Sequence, residues 1–427
     1  MYADDQPRAA MTFVVEFDFS GEVEKEHFQT AYDKALQRHP LLRSIIRKAK
    51  ANRDCWVAPD EYDSQIVWLG DEDSINIAGA GYELDLTQQV GIKTWGRIGN
   101  GESRFTFVFH HACCDGIGAY QFVGDCLWYY AKLMGEELEP LIELDETDLK
   151  ARMRVTTTPE LLGFHQREPI GPPQKPSCPV AQVDGEVGKT DRSYPNFFTY
   201  TYEKDAYRDL RLRAQELGQT VNDLLLESMF VAILRWNRKH GIEAADGALT
   251  INMPLDLREP GQPNFSAVNL VTSGFLQRSV EEIENREALE QSIREECTLL
   301  KHTRFESELM KFLFGISGDV HEAAQAFRGD DCMSTVVFSN TGDPTKRFLA
   351  KLPRRGGKVC AGNLVLEDIN GVSPLRYQTR ASFSLFTYQR RLRICMRTDA
   401  EFLNDAASQA FLDNFVECID NPSPDPL

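Results

Sequence analysis

The 427-residue chain has no Cys-x-x-Cys pair among its ten cysteines, which stand at 55, 113, 114, 126, 178, 297, 332, 360, 395 and 418 without regular spacing. This argues against a disulfide framework. Several of the cysteines fall in apolar runs, as expected of a reduced, cytoplasmic protein. Long hydrophobic runs are also missing: nothing approaches the roughly 18 consecutive apolar residues of a membrane span. The opening Met1-Tyr2-Ala3-Asp4-Asp5-Gln6-Pro7 has no basic region and no apolar stretch, so no secretory signal is expected. Cations are scarce beside acids, with 47 Lys and Arg against 65 Asp and Glu and a formal net charge of -18. That sign disfavours nucleic acid and anionic membranes as partners. An acidic ligand would need a local basic patch, and its position is not readable from the residues. No internal repeat is visible.

What is present is globular: 42% hydrophobic and 10% aromatic residues, in a chain too long for one ordinary core and suited to two domains. One stretch organises the rest, Phe105-Thr106-Phe107-Val108-Phe109-His110-His111-Ala112-Cys113-Cys114-Asp115-Gly116. Its phenylalanines alternate with Thr106, Val108 and His110, the period of a strand. Asp115-Gly116 signals a turn or helix start. A helical pattern follows, with Gly118, Phe122, Cys126 and Tyr130 at steps of four. Adjacent strand residues face opposite sides, so His110 and His111 have different jobs. One packs; the other faces a cavity, where a neutral imidazole is a natural general base near pH 7. Asp115 is placed to accept a charged hydrogen bond that fixes the loop.

Around this stretch, 11–19 reads as a strand and 23–39 as a helix that His39-Pro40 stops. Leu41, Leu42, Ile45 and Ile46 continue as strand. The helix after Gly116 ends near Gly135. Residues 136–195 change character, with Thr156-Thr157-Thr158-Pro159 and then a proline-rich run, and read as a crossover between halves. His165 within it has no assigned role. The second half starts with a strand at 196–202 and a helix over 204–217. Thr220 to Asp223 resembles a capping box, and the helix behind it (221–237) is apolar nearly all round, hence buried. Strands follow at 249–258 and 335–342, helices at 281–302 and about 305–316. A hairpin (381–387 with 391–397) and a helix over about 400–420 close the chain.

The central stretch resembles the HHxxxDG signature of the superfamily that holds chloramphenicol acetyltransferase, peptide-synthetase condensation domains and related O-acyltransferases. His110, His111, Asp115 and Gly116 match every fixed position. Arg38-His39-Pro40-Leu41-Leu42-Arg43 is similar to a helix-to-strand corner of these proteins. Pro254-Leu255-Asp256-Leu257-Arg258, the following Asn264 to Asn269, and the turn Ser339-Asn340-Thr341-Gly342 resemble segments of their second half. The resemblance runs from about residue 12 to about 420. Two departures stand out. The Asp-Phe-Gly-Trp-Gly box of plant-type alcohol acyltransferases is missing, and the Tyr-rich and Arg-Asn-Pro-rich motifs of assembly-line condensation domains cannot be placed. A stand-alone acyltransferase is therefore expected.

The resemblance implies an α+β fold. It consists of two chloramphenicol acetyltransferase-like subdomains, each a mixed β-sheet with flanking helices, meeting at a central tunnel. The boundaries expected are 1–180 and 181–427, with the crossover from about 136. It implies transfer of an acyl group from a thioester, acyl-CoA or acyl-phosphopantetheine on a carrier protein, to a hydroxyl or amine of a small-molecule acceptor. His111 would be the general base, His110 a packing and hydrogen-bonding residue, and Asp115 a structural residue paired with an arginine. Arg258 and Arg43 are both candidates for that arginine. Ser339, Asn340 and backbone N–H groups near Gly116 are candidate oxyanion donors. Gly116 reads as a backbone position that a side chain would crowd. No bound cofactor and no metal are expected.

Three other readings compete. Cys113 or Cys114 beside a histidine could be a nucleophile, although free cysteine commonly packs as a small hydrophobe. His, His, Cys, Cys and Asp within six residues suggest a metal, but adjacent pairs at a strand end diverge rather than converge on one ion. Third, the chain could be a condensation-like module that binds a carrier protein without catalysis; the intact His111 argues for the enzyme.

Overall fold

A computed structural model of the chain describes residues 9–49, 53–70, 83–144, 175–183, 197–242, 247–258, 265–303 and 331–422, together with Tyr2, Asp5, Gln6 and Pro173. The threonine-rich run at 156–159, His165, Asn264 and the helix expected near 305–316 lie outside these residues.

The first half contributes β1 (Thr12–Ser20), α1 (Lys25–Arg38), β2 (Ile45–Lys48), β3 (Asp54–Val57), β4 (Val67–Leu69), β5 (Ile92–Gly99), β6 (Glu102–His110) and α2 (Gly116–Leu133). The second contributes β7 (Phe197–Tyr202), α3 (Lys204–Glu216), α4 (Val221–Lys239), β8 (Leu249–Asp256), β9 (Val271–Arg278), α5 (Val280–Glu284) and α6 (Arg286–Thr303). It continues with β10 (Val336–Gly342), β11 (Arg354–Arg355), β12 (Lys358–Ala361), β13 (Leu364–Val372), β14 (Ala381–Tyr388), β15 (Arg391–Thr398) and α7 (Asp405–Asp420). They form two mixed sheets, in the orders β11-β12-β13-β1-β6-β5-β4 and β7-β15-β14-β10-β8-β9, beside a small β2-β3 ribbon. The fold is thus α+β with two sheet-and-helix units. Among the described residues no single helix is long and apolar enough to cross a membrane.

The alternation in β1 and β6 sets the first core. Phe13, Phe17 and Phe19 pair across the strands with Phe109, Phe105 and Ser103, and the phenylalanine face turns toward α1 and α2. Phe28 of α1 stacks on Phe105 at 3.9 Å, and Phe122 of α2 meets Phe107 and Phe109 edge-on. Because β6 lies between β1 and β5, its carboxyl end is held on both sides, and that end carries the histidines. In the second unit α4, capped by the reciprocal Thr220–Asp223 box, is buried among β8, β10 and α7.

Three departures from the sequence reading have local causes. Leu41 and Leu42 lie in a 3-10 turn, Pro40–Arg43, because proline at the first position favours helical φ rather than strand. The helix expected over 281–302 is two helices, broken at Asn285, whose side chain accepts from the Ala288 N–H and so starts the second. Sheet membership also does not follow a cut near 180. Residues 354–372 join the first sheet, β13 pairing antiparallel with β1.

A buried strut ties the halves. His39 is fully buried; its Nδ1 accepts from the Ala267 N–H at 2.8 Å, and its Nε2 lies 3.2 Å from Asp125 Oδ2. Arg38 Nε meets the same carboxylate oxygen at 2.7 Å. The His39-Pro40 corner therefore reaches from α1 through α2 to the segment before β9. Replacing His39 by Leu leaves the buried Ala267 N–H without its acceptor and Asp125 with Arg38 alone. Urea titration is expected to show a loss of roughly 2–4 kcal/mol, whereas a plain helix stop would show little change.

Candidate active site

His110 is fully buried and its ring is engaged on both sides. Nδ1 accepts from the Ala112 N–H at 3.0 Å, and Nε2 faces Asp5 Oδ2 at 3.3 Å. With Nδ1 accepting, Nε2 carries the proton and donates to Asp5. The lone pair and the N–H are both in use, so this ring has nothing to offer a substrate.

His111 begins the turn after β6, its N–H donating to the Met11 carbonyl at 2.7 Å. It is half-buried, its ring 5.2 Å from that of Phe13. Asn269 holds it from the other half of the molecule: Nδ2 donates to the His111 carbonyl at 2.7 Å and lies 3.2 Å from Nδ1. The amide is oriented by Val271, whose N–H donates to Asn269 Oδ1 at 3.3 Å. The imidazole also hydrogen-bonds its own carbonyl. Burial pushes the His111 pKa down to about 4, against the opposing pull of the Asp115 charge and the carbonyl contact.

Asp115 is the N-cap of α2, accepting from the Gly118 N–H at 2.8 Å and from the Leu270 N–H at 2.7 Å. Arg258 grips the same carboxylate as a fork, at 2.9 and 3.0 Å. Arg258 also reaches the Val268 carbonyl and Asp256 Oδ1, each at 2.9 Å. Of the two candidate cations, Arg258 is therefore the one in place. Arg43 sits on the 3-10 turn at the far end of α1 and makes no ion pair with Asp115.

The crowded glycine is not Gly116. A Cβ there would meet only Thr341 Cγ2, at 3.8 Å, an ordinary contact; at Gly118 it would meet Val268 O and Cys114 Cβ at 3.0 Å. Gly116 stands instead at the start of α2 beside Thr341 at the end of β10. On β10, Phe338 faces α7, with its ring against Phe415. Residues 337 and 339 therefore point the other way, and Thr341, beyond a register shift, lies toward Gly116. Ser339 shares the site-facing side. Asn340 does not: its Nδ2 donates to Asn222 of α4 at 3.1 Å and its Oδ1 accepts from Gly342 N–H. Asn340 is thus corrected from oxyanion candidate to turn support. Asn269 and Thr341 are the site neighbours that motif reading missed; both stand inside segments already singled out. Tyr120, which hydrogen-bonds Thr341, is a third.

Cys113 and Cys114 are fully buried. Cys113 fills the notch that Gly91 leaves open. Burial holds the Cys114 thiol well above its usual range, the setting of an inert thiol. The cluster of His, Cys and Asp side chains does not converge: among the described residues no three metal-ligating groups gather.

No protein-family model matches the chain. Two uncharacterized proteins of Mycobacterium tuberculosis, MT2362 and Rv2305, are 27% identical to it over 266 residues. The match covers 60% of this chain and 60% of each relative, so it spans under two thirds of their length. Among solved structures, the first condensation domain of the CDA synthetase superposes with a TM-score of 0.67 at 13% identity, covering 99% of this chain and 93% of that one. The TRI3 trichothecene 15-O-acetyltransferase of Fusarium sporotrichioides gives 0.64 at 13% identity, covering 97% and 91%. At such identities the likeness is one of fold. The chain has the fold shared by condensation domains and chloramphenicol acetyltransferase-like acyltransferases.

Removing one partner of the Asp115–Arg258 pair strands a buried charge. Asp115→Ala is expected to lower stability by about 3–5 kcal/mol. Asp115→Ala/Arg258→Met is expected to recover much of that, as read by denaturant unfolding.

Proposed function

We propose that the chain is an acyltransferase that moves an acyl group from a thioester to a hydroxyl or amine, with His111 as general base. The observation that carries this reading is the placing of His111: a half-buried ring just past the end of β6, with Asn269 bonded to its carbonyl and facing Nδ1, and no protein partner for Nε2 among the described residues. His110, Asp115 and Arg258 are the supports of that ring and of its loop. The N-terminal half to about residue 180 carries the base, and the remainder carries β8, β10 and Asn269.

The chemistry follows from the atoms. In the tautomer with the proton on Nδ1, Nε2 accepts the proton of the acceptor O–H or N–H as its heteroatom attacks the thioester carbonyl. The carbonyl oxygen becomes an oxyanion, for which Ser339 and backbone N–H groups near Gly116 are the candidate donors. Collapse breaks the C–S bond and expels a thiolate, which recovers the proton from the imidazolium. Positioning and proton transfer supply the gain, the latter typically about 10²–10⁴-fold.

Purified protein supplied with a panel of acyl-CoA donors and acceptor alcohols or amines should release free thiol, and His111→Ala should lower the rate by about 10²–10⁴-fold. Equal release by the variant would remove the general-base role. Absence of release with every donor, alongside tight binding of a carrier protein, would favour the non-catalytic module.

The pH profile has a defined sign. His111 works as the neutral ring, and its pKa lies near 4 rather than 6.5. The acid limb of kcat/KM should therefore fall with a midpoint near pH 4, leaving activity flat from about pH 6 upward through neutrality. A limb centred at 6.5 would show a ring exposed to water.

A further inference from the structure

In a chain of net charge -18, residues 344–366 contain six cations and no carboxylate. The cations are Lys346, Arg347, Lys351, Arg354, Arg355 and Lys358. They follow directly on β10, whose Thr341 lies against Gly116 at the histidine loop. Pro344 and Thr345 are buried and pin a 3-10 turn, Pro344–Lys346, leaving Lys346 and Arg347 exposed at its end. Just beyond, the Phe348 carbonyl packs against Gly124 of α2. Gly124 is eight residues into that helix, about 12 Å along its axis. The cationic turn therefore flanks the first turns of the helix that the histidine loop begins.

The charges differ in how far they are compensated. Lys358 is paired with Glu367. Lys351 and Arg355 donate to the carbonyls of Pro140 and Gly362. That flank also carries Glu136, which accepts from the Gly362 N–H, and the acidic run on to Glu143. Arg354 reaches back to the Thr345 carbonyl and to Gly357 O, each at 3.2 Å, which sets its guanidinium on the turn. Among the described residues no carboxylate pairs with Arg354 or Lys346. Arg347 lies 3.5 Å from Asp256, but Arg258 already holds Asp256 at 2.9 Å. Asp343 is the one carboxylate on the turn, and it caps the Thr345 N–H and hydroxyl. The charge without a carboxylate partner among the described residues is thus compact, on Lys346 and Arg354, with Arg347 beside them sharing Asp256 with Arg258.

We propose that this turn is the seat of the phosphate groups of a coenzyme A-type acyl donor, so that the donor is a free nucleotide thioester. The inference rests on the acyl-transfer reading above and names its donor. A nucleotide with clustered phosphates matches charge concentrated on one turn, where guanidinium forks and an ammonium are suited to phosphate oxygens. An acidic carrier domain would spread over the neighbouring flank and meet Glu136, Glu137, Glu139 and Glu143, a like-charge juxtaposition that disfavours docking.

The test is calorimetric titration of the full chain with coenzyme A and, separately, with pantetheine, which lacks the nucleotide. The variant is Lys346→Glu/Arg354→Glu; Arg347 is left in place because it touches Asp256. The dissociation constant for coenzyme A should rise by about tenfold or more. Added salt should weaken binding to the wild type, and pantetheine should bind both proteins alike. Melting temperature reports folding, and the single variants Lys346→Gln and Arg354→Gln serve if the double variant does not fold. The proposal is overturned if the double variant binds coenzyme A as tightly as wild type, or if pantetheine binds wild type as tightly as coenzyme A. It is also overturned if the variant loses a holo acyl carrier protein while keeping coenzyme A. Binding is read without turnover, so the two readings fail separately. Thiol release with no effect of the turn removes this site alone, and nucleotide binding at the turn with no release from any donor removes the acyl-transfer reading.

Discussion

The buried Asp115–Arg258 pair is the contact on which the site depends. One carboxylate caps α2, receives the Leu270 N–H and takes both guanidinium nitrogens of Arg258. Arg258 in turn grips the carbonyl of Val268. The loop that follows the histidines and the segment that precedes β9 are therefore locked to the same four atoms. A buried ion pair adds little net stability compared with an apolar pair of similar shape, but it allows one arrangement and makes the alternatives expensive. Here the arrangement matters, because the same segment carries Asn269. If 268–270 shifted by one residue, the amide that faces His111 would be replaced by an aliphatic side chain.

The two histidines show how partners, rather than residue type, assign roles. They are adjacent, both lie at the end of β6, and either could be drawn as a base. His110 points off the phenylalanine face into buried polar contacts that consume its lone pair and its proton. His111 has left the strand, and its ring is fixed at one nitrogen only. Strand alternation set the two in different surroundings on paper; in the structure the separating event is the end of the sheet at His110 rather than a continued pleat.

Much of this was legible because it is local. The alternating phenylalanines, the proline stop at His39-Pro40 and the capping box at Thr220 each act within a few residues of themselves. What stayed hidden is tertiary. The choice between Arg258 and Arg43 depends on which half crosses over α2, and no spacing encodes that. The role of Asn269 arises from the same crossing. Residues 354–372 join the first sheet by pairing with β1, more than 300 residues away in sequence, a contact that local pattern cannot announce. Asn340 is different, because the signal for it was present. Phe338 is a core residue of a strand, so position 340 shares its face, and the parity alone points Asn340 toward the helices. Gly116 and Gly118 mark the opposite limit: both are glycine, and only the position of the Val268 backbone tells which one is crowded.

Saturation of the site's polar groups is itself informative. Asp115, Asp256, Arg258, His110, Asn269 and Asn340 are all hydrogen-bonded to protein partners, and the two cysteines are sealed in the core. Polar groups held this way form a rigid frame with low reorganisation. Within that frame, among the described residues, His111 Nε2 and the Ser339 hydroxyl are left without a protein partner. On the acyl-transfer reading proposed above, these two are the candidate base and the candidate oxyanion donor. The burial that lowers the His111 pKa is the same burial that strengthens each contact around it. The weak basicity of the ring and the rigidity of its frame are therefore two consequences of one dry, tightly hydrogen-bonded setting.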